Sequence, residues 1–444
     1  MTLSKQLANY IVQMNYEQIP KPVIEFTKLC ILDYYASLLK GIHEQPPQII
    51  EEVVRLLGGN EQATAASGYR TTITNATLIN GGASHVIELD DIHKASIVHA
   101  ATVIMPAAIA VAEWQKCSGK ELLTAIIAGY EVAFRIGEAV TPAHYYFFHN
   151  TATVGTFGAT AAVCKLLNCT ESQIVHALGS AGTQAAGLWE FIEDGAMSKQ
   201  LHPGNAGVNG IISTLLALQG FTGASKILEG KRGFLEAMVK TYDQQKITEQ
   251  LGETFKITEN AFKIHASCRH THAAIDLALQ LAERNDFKSI QSIEVKTYEA
   301  AAEITNNNNP TTIYAAKFSM QFCVALALSY KNCGYDAFNA KTLNDPSICK
   351  LMTIINVTID PTITEQYPEV WGTKLVIQFQ DGTEEILETK YPKGDPENPL
   401  TKKDFIEKFS ELCPLPQEKQ EEMIRVILAF ENYEVKDLIH VIYQ

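Results

Sequence analysis

Residues 290–298 read Ile-Gln-Ser-Ile-Glu-Val-Lys-Thr-Tyr, with apolar and polar side chains taking turns. A period of two is the mark of a half-buried strand. Strong alternation of this kind is nearly absent before it. From the start to about residue 262 apolar side chains recur at spacings of three and four. The segments are Leu3–Met14, Pro22–Leu39, Pro47–Leu57, Ala76–Glu88, Thr102–Cys117, Lys120–Ala139, Thr153–Leu167, Glu171–Ala186 and Asn205–Gln219. Each predicts a helix, and many are apolar on most faces, as helices in the middle of a large bundle are. Thr170 three residues before Gln173 is a capping-box pair. After residue 290 the alternation returns in Leu351–Ile359, Lys374–Gln380 and Glu384–Lys390. The last two flank Asp381-Gly382, a hairpin signal. Thr271–Glu283 and Ala315–Ser329 read as helices between the strands. Lys393–Asn398 with Pro399 reads as a linker, Asn306–Asn309 as a mobile loop, and Lys402–Leu412 and Glu418–Glu431 as helix again.

The expected fold class is therefore mainly α. A large all-helical domain, discontinuous and built from residues 1–262 plus 401–444, carries a smaller α+β lid domain, residues 263–400. The chain has 444 residues, enough for two or three domains. Its 46% hydrophobic and 19% charged composition is that of a protein with an ample core. The longest apolar stretches, such as Ala100–Ala112, fall short of the roughly 18–20 residues that span a bilayer. The amphipathic start, residues 1–16, lacks the apolar core of a secretory signal, so a cytoplasmic location is expected.

Lys and Arg number 36 against 50 Asp and Glu, a net charge of −14. Such a chain is a poor nucleic-acid binder, since phosphate contacts need clustered cations. Nine cysteines occur without any Cys-x-x-Cys pair, which argues against a disulfide framework, a zinc ribbon and an iron–sulfur cluster. No Walker A motif is present. The glycines of residues 149–162 follow no strand, so a dinucleotide-binding reading fails.

The histidines are clustered, a pattern suited to proton transfer or metal binding. Three of the twelve fall in HVIELDDIHKASIVH, residues 85–99, and three in HASCRHTH, residues 265–272. On a helix His85 would share a face with Glu88, and Asp90 with His93. Arg269 stands before a helix that Thr271 would cap, and is the natural fork for a carboxylate. Lys199 precedes a His-Pro-Gly turn, residues 202–204, that leads into a helix at Asn205. His149 is expected at a helix N-terminus, where its charged form is disfavoured. An acidic chain that places Lys199, Arg269 and several imidazoles in turn-like positions suits a small anionic substrate and proton transfer at carbon. A metal-dependent hydrolase built on His85, Asp90, Asp91 and His93 and a non-catalytic metabolite-binding protein are the readings of different class.

In these motifs the sequence resembles the MmgE/PrpD family. The matching segments are residues 80–99, 149–162, 198–210, 220–234, 265–276, 315–328 and 393–401, in family order. Members include 2-methylcitrate dehydratase, cis-aconitate decarboxylase and iminodisuccinate epimerase. The resemblance implies a homodimer, an active site between the two domains, and no metal or organic cofactor. It implies catalytic roles for His99, Lys199 and His272. Substrate contacts would come from Glu88, Asp90, Asp91, His149 and Arg269. The function expected is a lyase acting on a di- or tricarboxylate, 2-methylcitrate dehydratase-like. An epimerase-like isomerase or a decarboxylase is the alternative. Glu88 stands where decarboxylase-like members carry Asp, Ile92 where they carry Thr, and one extra residue precedes His99. These departures count against cis-aconitate decarboxylase activity.

Overall fold

The computed structural model describes residues 1–284 and 289–443. Among the described residues the fold is mainly α, with a two-stranded ladder and one four-stranded sheet. The chain forms two compact units. One comprises Met1–Asn260 with Thr401–Gln444, the other Ala261–Leu400.

The first unit begins with α1 (Leu3–Gln13), α2 (Lys21–Gly41) and α3 (Gln45–Leu57). A two-residue ladder of β1 (Ala63–Thr64) and β2 (Arg70–Thr71) follows. Next come α4 (Ile73–His85), α5 (Ala101–Gln115), α6 (Gly119–Val140), α7 (Asn150–Leu166) and α8 (Glu171–Gly182). The short α9 (Phe191–Asp194) precedes α10 (Ser198–Leu218) and α11 (Phe234–Met238). The central helix α5 is buried continuously from Ala101 to Ala112, as its all-round apolar sequence demands. Its neighbours α4, α7 and α10 are rich in small residues, and these let backbones approach. A Cβ on Gly129 of α6 would lie 3.0 Å from the Gly158 carbonyl of α7. One on Gly158 would lie 2.9 Å from that of Gly129. Helix starts follow their cap residues. Ser118 and Glu121 form a capping box at α6, and Thr170 and Gln173 do so at α8, as the sequence indicated.

Tail helices Lys402–Leu412, Gln417–Leu428 and Val435–Tyr443 complete this unit. The last of these was not foreseen. Lys402–Leu412 packs on α2 and sends Lys408 inward. The Lys408 ammonium meets the Asp33 carboxylate at 2.6 Å and the Leu89 carbonyl at 2.6 Å.

The second unit holds β3 (Ile290–Thr297), β4 (Ile355–Ile359), β5 (Thr373–Phe379) and β6 (Glu384–Thr389), in the order β4-β3-β5-β6. β3 and β4 run parallel, with Val295 opposite Val357. β5 is antiparallel to β3 and to β6, with Leu375 opposite Leu387. Ile293, Val295, Leu375 and Ile377 are the buried side of the alternation. Helices α12 (His272–Glu283) and Met320–Tyr330 pack on the sheet. Sequence periodicity placed β4 four residues too early, because Pro346–Met352 is helical.

Candidate active site

α4 stops at His85, three residues before the end that periodicity suggested. Residues 86–100 then run as a non-helical segment that is buried nearly throughout. Backbone polar groups in such a place need partners. Lys408 serves the Leu89 carbonyl, and Asn150 Nδ2 donates to that of Ser96 at 2.7 Å. The Thr151 hydroxyl accepts from His99 N–H at 3.0 Å. Glu88 and Ile97 take positive φ, 60° and 52°, a conformation uncommon outside glycine.

Asp91 fixes the end of this segment. Its carboxylate accepts from the Ala101 N–H at 3.1 Å, so it caps α5, and from Tyr130 Oη at 2.9 Å and Asn260 Nδ2 at 2.7 Å. Burial pushes its carboxyl up to about 7 against the pull of the Asn260 and Tyr130 donors, with Asp90 and Asp33 adding to the rise. These partners give Asp91 a structural part. The substrate contact that the sequence analysis expects of Asp91 is at a carboxylate whose partners here are groups of the chain itself.

Asp90 joins two imidazoles. Its Oδ2 lies 2.7 Å from His85 Nδ1 and 3.0 Å from His99 Nδ1. His99 Nδ1 is also 2.6 Å from the Asp91 carbonyl. A carbonyl oxygen only accepts, so the Nδ1 of His99 carries the proton and Nε2 holds the free lone pair. The same logic leaves the lone pair of His85 on Nε2, which is buried without a partner. The expected helix-face pairs His85–Glu88 and Asp90–His93 do not form, because no helix continues past His85.

His149 is the N-cap residue of α7, as expected, and its side chain makes no cap bond. Its Nδ1 faces the Nδ1 of His202 at 3.1 Å, so one donates and the other accepts. Its ring lies 5.7 Å from that of His85 and 6.4 Å from that of His99. Burial pushes His85 down to about 4, His202 to about 4 and His149 well below the usual range. The nearby Lys199 ammonium lowers all three further. This part of the protein therefore holds neutral imidazoles beside a cation.

Lys199 sits in the first turn of α10, which starts at Ser198 and not at Asn205. The expected His-Pro-Gly turn is helical. Gly204 serves close packing there, since a Cβ on it would lie 2.4 Å from the Leu78 carbonyl of α4. The Lys199 ammonium is paired with the Glu88 carboxylate, and both are buried.

His93 belongs to another cluster. Its Nδ1 meets Ser96 Oγ at 2.9 Å, and its Nε2 is 3.7 Å from Glu138 and 3.5 Å from Glu259. Lys256 Nζ lies 2.9 Å and 3.1 Å from the same two carboxylates. Burial pushes the Glu259 carboxyl up, but His93 and Lys256 outweigh it and hold it at about 2. The set His85, Asp90, Asp91, His93 considered for a metal is thus not brought together. Asp91 caps a helix and His93 faces Glu138 and Glu259. His85, Asp90 and His99 do converge, but both rings turn an N–H toward Asp90. Among Glu138, Glu259 and His93, Lys256 already supplies the cation.

In the second unit Arg269 and His272 stand together. Arg269 Nη1 donates to His272 Nδ1 at 2.9 Å, and to the carbonyls of Phe262 at 3.2 Å and Lys393 at 3.1 Å. Its Nη2 is paired with the buried Asp395 carboxylate. Arg only donates, so His272 Nδ1 is the acceptor and its proton is on Nε2, 3.4 Å from the Ser267 carbonyl. Burial, then the Arg269 charge, pushes His272 well below the usual range. Thr271 does not cap α12; its hydroxyl donates to the Cys268 carbonyl at 2.8 Å.

Sequence reasoning missed Asp395, placed in a stretch that reads as linker, and the partners Tyr130, Asn260, His202 and Lys408. His202 was visible beside Lys199 in the motif. The others carry no local signal.

Comparison with known proteins agrees with these motifs. A model of the MmgE/PrpD N-terminal domain matches residues 5–246, and one of the MmgE/PrpD C-terminal domain matches residues 265–432. The chain is similar to the cis-aconitate decarboxylase-like protein oryM of Aspergillus oryzae, 27% identical over 99% of this chain and 97% of that protein. It is similar to the cis-aconitate decarboxylase of Homo sapiens, 23% identical over 98% of this chain and 92% of that protein. A probable 2-methylcitrate dehydratase of Saccharomyces cerevisiae is 24% identical over 53% of this chain and 49% of that protein. With both of its parts matched in order over most of its length, the chain belongs to the MmgE/PrpD family.

Proposed function

We propose that this chain is a lyase acting without a cofactor on a small carboxylate, by proton removal from a carbon next to a carboxylate group. The observation that carries this reading is His99. Two acceptors pin its Nδ1–H, its Nε2 lone pair is free, and the neutral imidazoles around it sit beside the Lys199 ammonium. Such an imidazole is suited to be a general base, and a buried cation lowers the cost of the enolate-like charge that follows. His272 has its lone pair taken by Arg269, so a donor's part through Nε2–H suits it better than a base's. We assign His99, Lys199 and His272 to catalysis, and Glu88, Asp90, His149 and Arg269 to the substrate or to its immediate supports.

Loss of water from a hydroxy-carboxylate, the dehydratase reaction, is the reading preferred here. Decarboxylation is the second reading, favoured by the names of relatives that cover nearly the whole chain. Both need a base or proton donor beside a stabilised carbanion. The same apparatus would serve an epimerase. A homodimer in the cytoplasm also belongs to this proposal. Tyr146, Phe147 and Leu188 are exposed, as are Leu201, Ile212 and Leu216 along α10, and a second copy would cover such side chains. No helix among the described residues is long and apolar enough to cross a membrane.

Proton NMR in D2O tests the activity. Purified protein is offered 2-methylcitrate, citrate, malate, cis-aconitate and iminodisuccinate separately, with a His99→Gln control. A new vinyl signal from a hydroxy acid is the expected result. Carbon dioxide release from cis-aconitate indicates the decarboxylase, and deuterium uptake or inversion without new products the epimerase. No change in any tube refutes the proposal.

A further inference from the structure

We propose that Glu88 sets the charge of the substrate, holding Lys199 as an internal counter-ion and so favouring a hydroxy-dicarboxylate over a tricarboxylate. The inference rests on reading this region as a carboxylate site and narrows it: the chemistry is a dehydratase's, the preferred substrate carries one negative group fewer.

Lys199 is the cation that the buried imidazoles feel, since it acts on His85, His149 and His202 alike. It is not an open receptor for anions, because the Glu88 carboxylate is paired with it from 111 positions away. Both groups are nearly wholly buried, Glu88 at 1% exposure and Lys199 at 2%. Glu88 reaches this place from a backbone with φ of 60°, which a non-glycine side chain adopts only when its surroundings hold it there.

Around the pair the charges do not favour a polyanion. The Asp90 carboxylate serves the N–H groups of His85 and His99. Burial keeps His85, His149 and His202 neutral, so they add no positive charge. Glu88 thus balances the Lys199 charge, and Asp90 adds a carboxylate beside His85 and His99. The second unit repeats the pattern, with Arg269 paired to the buried Asp395. Both cations that the sequence offers to substrate are thus already balanced by carboxylates of the chain. A substrate carboxylate that reaches Lys199 shares it with Glu88, and each further negative group within about 6 Å of Glu88 weakens binding by roughly 10²-fold at an effective dielectric near 20.

Calorimetric titration with malate and with citrate, on the wild type, Glu88→Gln, Glu88→Asp and the double variant Glu88→Gln/Lys199→Met, tests the assignment. The wild type is expected to bind malate at least about tenfold more tightly than citrate. Glu88→Gln is expected to gain about 10- to 100-fold in citrate affinity and to lose the preference. The double variant should lose that gain, because it depends on Lys199. Glu88→Asp keeps the charge and should keep the wild-type order. A wild type that prefers citrate overturns the proposal. So does a folded Glu88→Gln that binds citrate no better, or a gain that survives in the double variant. If Glu88→Gln does not fold, the wild-type order together with Lys199→Met decides: citrate bound as tightly as malate by the wild type overturns the proposal. Turnover separates the two readings. Affinities that follow this order with no product from any hydroxy acid refute the activity and leave the charge assignment standing. Product formed with the affinity order reversed does the opposite.

Discussion

Replacing Asp90 by Asn removes the charge that two imidazoles share while leaving a side chain of the same size. In the wild type the Asp90 Oδ2 accepts from His85 Nδ1 at 2.7 Å and lies 3.0 Å from His99 Nδ1. Where a buried aspartate alone fixes the tautomer of a catalytic histidine, the change to Asn costs about 10⁴ in kcat. Here the Asp91 carbonyl, 2.6 Å from His99 Nδ1, holds the same tautomer independently. What is lost is the carboxylate's stabilisation of the imidazolium formed as His99 takes the proton. A charge-assisted hydrogen bond of this kind is worth about 1.5–3 kcal/mol, and loss of the ion's field on a buried partner brings the total to about 3–4 kcal/mol. The expected fall in kcat is therefore about 10²- to 10³-fold, with KM changed by less than about threefold because binding is not the step affected. The assay is the rate of product formation, paired with uptake of deuterium from D2O at the substrate carbon. A fall below about threefold would mean that Asp90 does not support the base, and the mechanism drawn from this geometry would be wrong. A fall of 10⁴ or more would mean that the Asp91 carbonyl does not hold the tautomer.

Lys408→Met leaves Asp33 without its ammonium and the Leu89 carbonyl without its donor. Breaking such a buried pair is expected to cost about 3–5 kcal/mol in urea unfolding, and a loss below about 1 kcal/mol would refute it. Folded His85 and His144 are both pushed down to about 4, chiefly by burial. Their contribution is complete above the unfolded value near 6.5 and is lost as pH falls through about 4. Each should remove about 2 kcal/mol by pH 5. Asp91 and Glu131, both held at about 7, gain stability over the same range, so the His144 share is read against His144→Gln. From pH 8 to 5 the wild type should lose about 2 kcal/mol more than the variant, and equal losses would show this ring charged when folded. Gly394 has φ of 96°, and a Cβ there would lie 2.0 Å from the Phe262 carbonyl. Gly394→Ala should therefore displace the neighbouring Asp395 from Arg269 and lower kcat at least tenfold. Unchanged turnover would separate this contact from catalysis.

Much of the architecture was readable because burial leaves a period. β3, β5 and β6 show alternation along their length, and α5 shows apolar residues on every side. The start of α10 was misread for a physical reason. Glycine and proline mark turns, but they also mark places where helices touch. His202-Pro203-Gly204 reads as a turn, yet Gly204 lies against α4, where a side chain on Gly81 would meet the Gly204 backbone at 2.5 Å. At the site, residue types were legible and partnerships were not. Histidine spacing drew attention to residues 85–99, but only the fold decides that Asp90 serves His85 and His99 while Asp91 caps a helix. Asp395 lies 126 residues from Arg269, within a run of Gly, Pro and Asn that looks like a connector. No local pattern encodes such a distant pairing.

The ammonium that steadies the segment 86–100 is supplied by Lys408, 319 positions beyond the carbonyl it serves. A growing polypeptide leaves the ribosome from its N-terminus, at about 5–20 residues per second. For at least about 16 seconds of synthesis, then, His85, Asp90 and His99 exist without this anchor. Helices α1 to α10 can associate in that interval, but the Leu89 carbonyl gains this donor only when the tail docks on α2. Completion of translation and completion of the site are thereby tied to the same event, so a ribosome that stalls before residue 408 releases a product whose bundle is nearly whole and whose chemistry is not yet assembled.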